Sequence, residues 1–478
     1  MLTYIKKNKL TLVLLVMVLL YTAYFSWFTV MRFRTLHSSY FDLGIMHQTV
    51  YNSFIAIKTN DWSRFLELTN PHGFEQVKRM AIHNDIILGA LAIFYFIYSG
   101  PETLLIFQTI ILALGAIPVF LIAQKIINKN KSNSLIPIVL SFAYLMYTPM
   151  QRANIYDFHA VTIATTTLLF MYYFWLVKKY WLSFMFLIIS LLTKEQVALT
   201  TVFFGMYVLY CEKNSLRKLL FGISIIIISL IWFIVSMKII VPYFRGSVHF
   251  ALQRYGGFST NLIKYIWHID TARYFWFLLG PLAFLSLLSP IILIITIPEF
   301  AINLLSNSWN MRNIIYHYTA VLQPWIFIAA IYGINKCLTK NTKLKIIIPI
   351  IVIFSTLSFS YFKGPLPFSR EAEINLFNYS TAEAQDISNW VKQLKNDSIK
   401  VSATGNLSPF FASRRYFYNF SKYYYLSDYI IIRPNETFRY ADADNKIITP
   451  IYRQLQSDTR FKIIYKAKNF EVYEKIMK

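Results

Sequence analysis

The chain has 478 residues, 56% of them hydrophobic and only 15% charged, with a formal net charge of +24. An ordinary soluble domain carries about 25% charged residues, so this composition excludes a conventional water-soluble enzyme. The positive charge gathers at the ends of apolar runs, which fits membrane topology and anionic phosphates and argues against nucleic acid as a partner.

Several apolar runs approach or exceed the ~20 residues of a bilayer-crossing helix. Helices satisfy their own backbone hydrogen bonds in lipid, so the expected fold is an all-α polytopic membrane bundle. Lys6, Lys7 and Lys9 precede the first run, Leu10 to Val30. It is too long for a signal-peptide core and lacks a small-residue cleavage site, so it reads as a retained helix with a cytoplasmic N-terminus.

Residues 32–83 then form a polar outer loop holding Asp42, Asp61, Glu67, Glu75 and four of the eight histidines: His37, His47, His72 and His83. Phe41, Ile45, Val50 and Phe54 suggest a helix lying along the membrane interface. The apolar piece Ile86–Tyr98 is short. If it does not cross, the loops at 124–134, 178–180, 211–218 and 336–345 fall inside with twelve Lys/Arg in 32 residues. The opposing loops at 151–159, 193–196, 242–274 and 306–318 then hold seven in 59. The positive-inside bias favours that arrangement, with 86–98 interfacial or re-entrant.

Further spans are expected at about 135–150, 160–177, 181–193, 196–210, 219–241, 275–289, 290–305, 319–335 and 345–361, giving about 11 crossings with 10–30 and 103–123. Several are only 12–16 residues long, which implies buried or tilted helices. Cys211 and Cys337 lie at helix ends beside basic clusters and do not suggest a disulfide framework.

Lys363-Gly364-Pro365-Leu366-Pro367 reads as a linker, so the domains are expected at 1–361 and 362–478. In the second, Thr381–Lys395 has the pattern of an amphipathic helix. Residues 400–403 and 429–432 look like strands, and 461–465 with 470–473 like a closing hairpin. The tail reads as a small extracytoplasmic α/β domain. It holds five Asn-x-Ser/Thr sequons, at Asn378, Asn396, Asn406, Asn419 and Asn435, against one, Asn130, in the preceding 361 residues.

Under this topology three polar clusters share the outer face with Asp42: Arg152 to His159 with Asp157, Thr193-Lys194-Glu195-Gln196, and Asn307 to His317 with Arg312. Arg245, Arg254, Lys264 and Arg273 lie on the same side. Ionisable groups near membrane depth cost about 2.5–3.5 kcal/mol each, so they are paired or face a cavity. The bland alternatives are a solvated turn for Lys194 and Glu195, a helix N-cap for Asp42, and backbone-bonded interfacial histidines for His159 and His317. Asp42, Asp157, His83 and His159 also offer oxygen and nitrogen donors for a divalent metal, with no fixed ligand spacing to support one. Walker, dinucleotide-binding and nucleophile-elbow motifs are absent from the sequence.

The ordered series Phe41-Asp42-Leu43-Gly44-Ile45, His83 before a short apolar helix, Asp157-Phe158-His159, Lys194-Glu195 and Tyr316-His317-Tyr318 resembles an uncharacterised prokaryotic membrane-protein family. That family carries a domain-of-unknown-function label and is similar to the GT-C glycosyltransferases. The likeness extends into the tail, from Val401-Ser402-Ala403-Thr404 to Arg414. The family pattern has a proline shortly after the first-loop histidine and another after Asp-Phe-His. Here the region of Ile86 and then Ala160 depart from it.

The resemblance implies a GT-C-like bundle that transfers a sugar from a polyprenyl-phosphate donor at the outer face of the cell membrane. Asp42 would be the acidic residue of the reaction centre. Arg152, Arg312 or Lys194 would stabilise the leaving lipid phosphate, and Asp157 and His159 would orient the acceptor or hold a metal. Glu195 would belong to the catalytic group, and His83 and His317 to substrate binding. Readings from other classes are a transporter or flippase for a lipid-linked or polar solute, and a non-catalytic assembly protein.

Overall fold

The computed structural model describes residues 9–127, 135–211, 215–255, 268–373, 381–437 and 445–476. Asn130, Lys264 and Asn378 lie outside them. Among the described residues, four helical stretches are long and apolar enough to cross a membrane: Lys9–Arg34, Glu102–Ile127, Lys218–Arg245 and Leu344–Lys363. Five shorter apolar helices accompany them: Ile87–Phe96, Thr162–Leu176, Tyr180–Leu191, Val197–Cys211 and Pro290–Leu304. Glu102–Ile127 is mostly buried, whereas the other three long stretches turn large side chains outward, among them Leu19, Leu20, Ile231, Ile234, Ile346 and Phe354. Such faces suit lipid, which is as apolar as they are.

Contacts divide the chain into two compact units. One comprises Met1–Thr29, Ile82–Asp85 and Ile106–Ile374; the other comprises Val30–Ala81, Ile86–Leu105 and Asn375–Lys478.

The first unit is a helical bundle whose elements follow the apolar periodicity, with two departures. The span expected at 135–150 stops at Leu145, and a separate buried helix, Thr148–Ile155, begins with Pro149 in its first turn. Proline is at home there but has no N–H to continue the earlier helix's ladder to the Leu145 carbonyl, so the chain restarts after Tyr147 and Arg152 becomes helical rather than part of a loop. The span expected at 275–289 is likewise broken: Ile269–Leu279 gives way to short 3-10 turns through Pro281, with Ala283 and Phe284 at φ of 51° and 58°. Close packing is clearest between Val197–Cys211 and Leu216–Val235. A Cβ on Gly205 would meet Ile226 at 2.6 Å, and one on Gly222 would meet Leu209 at 2.6 Å. Small residues let two membrane helices approach at backbone distance.

The second unit unites the first polar loop with the C-terminal stretch. Strand β1 (Glu67–Thr69) pairs antiparallel with β2 (Gln76–Lys78). A five-stranded sheet runs in the order β4-β3-β5-β7-β6, from β3 (Val401–Ala403), β4 (Phe417–Asn419), β5 (Tyr429–Ile432), β6 (Phe461–Ala467) and β7 (Phe470–Lys475). Strand β3 is parallel to both β4 and β5, and β6–β7 is the hairpin read from the sequence. Strand β4 carries three residues beside an aromatic cluster and gave no strand pattern of its own.

Side chains tie the distant segments of this unit together. Gln48 Nε2 donates to the Arg414 and Arg415 carbonyls at 3.3 and 3.0 Å, Arg415 Nε to Glu67 at 2.9 Å, and Arg64 Nη2 to Asp397 at 2.6 Å. His47 lies between Tyr95 Oη at 2.7 Å and Ser413 Oγ at 2.8 Å, and burial pushes it down to about 3. It is a structural histidine. Helix Ile87–Leu91 and the 3-10 turn Ala92–Phe96 together span ten residues. That is roughly 15–20 Å, well short of the about 30 Å hydrocarbon core.

Candidate active site

In the first unit the polar turn at 192–196 separates helices Tyr180–Leu191 and Val197–Cys211. It places Lys194 and Glu195 deep inside, at 9% and 4% exposure. Glu195 Oε1 receives two imidazoles at once, His83 Nδ1 at 2.8 Å and His249 Nε2 at 3.1 Å. Its other oxygen accepts the Asn84 backbone N–H at 3.0 Å, and Asn84 Nδ2 donates to Ser236 Oγ at 2.7 Å. Ser236 opens a π-helical turn, Ser236–Ile240, of the kind that recurs at functional sites.

The Ala251 N–H donates to His249 Nδ1 at 3.1 Å. A ring nitrogen that accepts carries no proton, so the His249 proton sits on Nε2 and points at the carboxylate. Burial works to raise the Glu195 pKa. The His83 charge, the hydrogen bonds from both rings and Lys194 outweigh it, holding the carboxyl well below its usual range.

Next to this cluster, Lys194 Nζ lies 6.0 Å from the centre of the Tyr318 ring. Burial lowers the Lys194 pKa, against the opposing pull of Glu195 and Glu299. His317 stacks on His159 with ring centres 3.7 Å apart and planes 20° apart, and Tyr156 lies near both, 5.6 Å from His159 and 6.5 Å from His317. Burial, the His159 ring and the cations Lys194, His83 and Arg254 hold His317 well below the ordinary histidine value. Asn303 Nδ2 fixes the loop by donating to Tyr274 Oη and the Tyr318 carbonyl, both at 3.0 Å. Gln196 Nε2 donates to Glu299 Oε1 at 2.7 Å, while Glu299 Oε2 and His317 Nδ1 are buried without a hydrogen-bond partner.

Asp157 is buried and takes φ = 141°, a conformation rare for a residue with a side chain. Gln108 holds it there. Its Nε2 donates to the Asn154 and Asp157 carbonyls at 3.0 Å, and its Oε1 accepts the His159 N–H and the Thr162 hydroxyl at 2.9 Å. The amide thus uses both donors and both lone pairs on one turn. Gln108→Ala is expected to cost about 2–4 kcal/mol by stranding three buried backbone groups, read from denaturant unfolding in detergent. A loss below about 0.5 kcal/mol would show that the turn holds itself.

Two expected phosphate ligands sit elsewhere in the same unit. Arg152 Nε donates to the Lys363 carbonyl at 2.7 Å, and Nη2 to the carbonyls of Gly364 at 3.2 Å and Glu371 at 3.1 Å. The Glu371 and Glu373 carboxylates add contacts at 3.5 and 3.4 Å. Arg152 is therefore an anchor for the segment after the last long helix. Arg312 is buried, with Nη2 donating to the Ser306 carbonyl at 3.3 Å. Both line a cavity of about 540 Å³ with Arg273, Lys363, Trp276 and Trp309. A second cavity of about 580 Å³ shares Trp276, Phe277 and Lys363 and runs along Phe359 and Phe362. Both linings mix charged groups, the acidic Glu371 included, with aromatic rings, which makes the groove amphiphilic.

Asp42 belongs to the second unit. It lies in a π-helical turn, Tyr40–Gly44, with Ser39 Oγ donating to Oδ2 at 3.2 Å. The cap position of the following helix, Ile45–Thr59, is Gly44, so Asp42 is not its N-cap.

The structure thus joins His83, Lys194, Glu195, His159 and His317 and adds three residues that sequence reading missed. Glu299 was visible in principle, as the single charged residue of the apolar run 275–305. His249 and Gln108 gave no signal, because neither sits in a patterned motif.

The chain belongs to the DUF2079 family of predicted membrane proteins, whose model matches residues 32–472. No curated protein matches it in sequence. Among solved structures it is similar to ArnT from Cupriavidus metallidurans bound to undecaprenyl phosphate, with TM-score 0.58 and 11% identity over 98% of each chain. The apo structure of ArnT from the same organism gives 0.52 and 10% identity, covering 90% of this chain and 93% of that one. ArnT is a GT-C glycosyltransferase. At such identities the likeness establishes the fold, and the resemblance read from the ordered motifs holds for family and fold.

Proposed function

We propose that the protein transfers a sugar from a polyprenyl-phosphate-linked donor to an acceptor hydroxyl on the outer face of the membrane. The observation that carries this reading is the concentration of buried ionisable groups, Lys194, Glu195, His249, His159 and His317, beside the half-buried His83, in a unit built of apolar helices. Such groups are costly at membrane depth and are kept where chemistry or transport needs them. The ArnT-like fold and the amphiphilic groove support a lipid phosphate as one substrate.

In the proposed step the acceptor oxygen bonds to the anomeric carbon and its proton passes to the Asp42 carboxylate. The anomeric C–O bond to phosphate breaks, and its electron pair stays on the lipid phosphate. Lys194 and Arg312 are the cations assigned to that growing charge. Arg152 is assigned to shaping the groove, since its donors are spent on the 363–373 segment.

Reconstitution in liposomes with a radiolabelled polyprenyl-phosphate sugar tests this. The expected result is free polyprenyl phosphate in equal amount to glycosylated acceptor. Movement of intact donor across the bilayer without cleavage would replace the transferase with a flippase.

A further inference from the structure

We propose that His83, Glu195 and His249 form a binding site for a divalent transition ion, with Zn²⁺ the best match. The inference does not rest on the transferase reading. It differs from the donor set suggested by sequence, because His83 meets Glu195 and His249 here.

Three observations carry it. First, the three ligand atoms come from separate stretches of chain and all lie within 4.8 Å of one another. Both imidazole nitrogens approach the same carboxylate oxygen, at 2.8 and 3.1 Å. Ligands at about 2.0–2.1 Å from a tetrahedral zinc are roughly 3.3 Å apart, so each imidazole backs away from Oε1 by only a few tenths of an ångström, while the two ring nitrogens lie within 4.8 Å of each other.

Second, the donor chemistry is selective. Two imidazoles and one carboxylate suit zinc and its neighbours, whereas magnesium and calcium prefer all-oxygen shells. Three protein ligands also leave the fourth position open, the pattern of zinc ions that do chemistry.

Third, the surroundings orient the ligands. The Asn84 N–H at 3.0 Å occupies Oε2 of Glu195 and leaves Oε1 for an ion, and Asn84 is itself held by Ser236. Ligating carboxylates are usually fixed by such outer hydrogen bonds. Glu195 and His249 are buried, and His83 keeps 18% of its side chain exposed, which provides a path in. Entry of an ion at His249 Nε2 moves that proton to Nδ1, and the ring gives up the Ala251 amide bond.

The test uses the full chain in detergent, stripped with a chelator and titrated with Zn²⁺ or Co²⁺ alone. The expected result is saturable uptake of one ion per chain, a rise in melting temperature, and intense visible absorption from four-coordinate Co²⁺. His249→Asn and His83→Asn are each expected to weaken uptake by more than about tenfold. His83 is partly exposed, so its variant tests the site even if His249→Asn folds poorly. Uptake that does not saturate, or that neither substitution changes, would overturn the site and leave the cluster as a carboxylate held by two imidazole N–H groups.

Discussion

Glu195→Gln is expected to lower sugar transfer by about 10²–10³-fold, the range for losing one electrostatic stabiliser, because its charge supports the buried Lys194 assigned to the leaving phosphate. It should also destabilise the protein by about 3–5 kcal/mol, the usual cost of removing one partner from a buried charged cluster. The carboxylate accepts from both imidazoles through one oxygen and from the Asn84 amide through the other. A glutamine can keep one acceptor there, but its NH₂ group then faces an N–H donor. It also removes the charge that supports a buried Lys194.

The pH dependence has a definite sign. The Glu195 pKa is depressed in the folded state, so its stabilisation is fully present above the ordinary carboxylate range and is lost as pH falls through the lowered value. The wild-type advantage over Glu195→Gln should therefore persist at neutral pH and shrink only under acid conditions. Paired unfolding curves at several pH values measure this. An advantage that grew on acidification would sink the assignment.

Asp42→Asn is expected to remove transfer by a similar factor while leaving the fold intact. Asp42 is half-buried, and the Ser39 hydroxyl that donates to it finds an equivalent acceptor in asparagine. What asparagine lacks is the capacity to take a proton at neutral pH. Unfolding should shift by less than about 1 kcal/mol, so activity and stability part company. That separation distinguishes a base from a residue that only shapes its turn. Transfer within a few-fold of wild type would pass the base role to another group.

Family and bundle were legible because hydropathy and the ordered short motifs are properties of the sequence itself. The tail sheet was legible for the same reason, since β5 and the β6–β7 hairpin show alternation or β-branched runs of their own. The site was legible only where polar residues interrupt apolar runs, as at Lys194 and Glu195. His249 was invisible because its role depends on which carboxylate it meets 54 positions away. The surroundings of Arg152 were hidden for a related reason: the carbonyl and carboxylate groups it meets lie more than 200 residues on.

The patchwork origin of the second unit bears on how the protein is made. The helix Ile45–Thr59 buries His47, Gln48 and Asn52, and the groups that satisfy them include Ser413 and the Arg414 and Arg415 carbonyls. A ribosome working at about 5–20 residues per second needs roughly 15–60 s to travel from Leu105 to Asn375. For that interval the early loop has emerged without the partners that complete it. A nascent chain halted before residue 375 therefore offers quality-control factors a polar segment that no amount of waiting can fold.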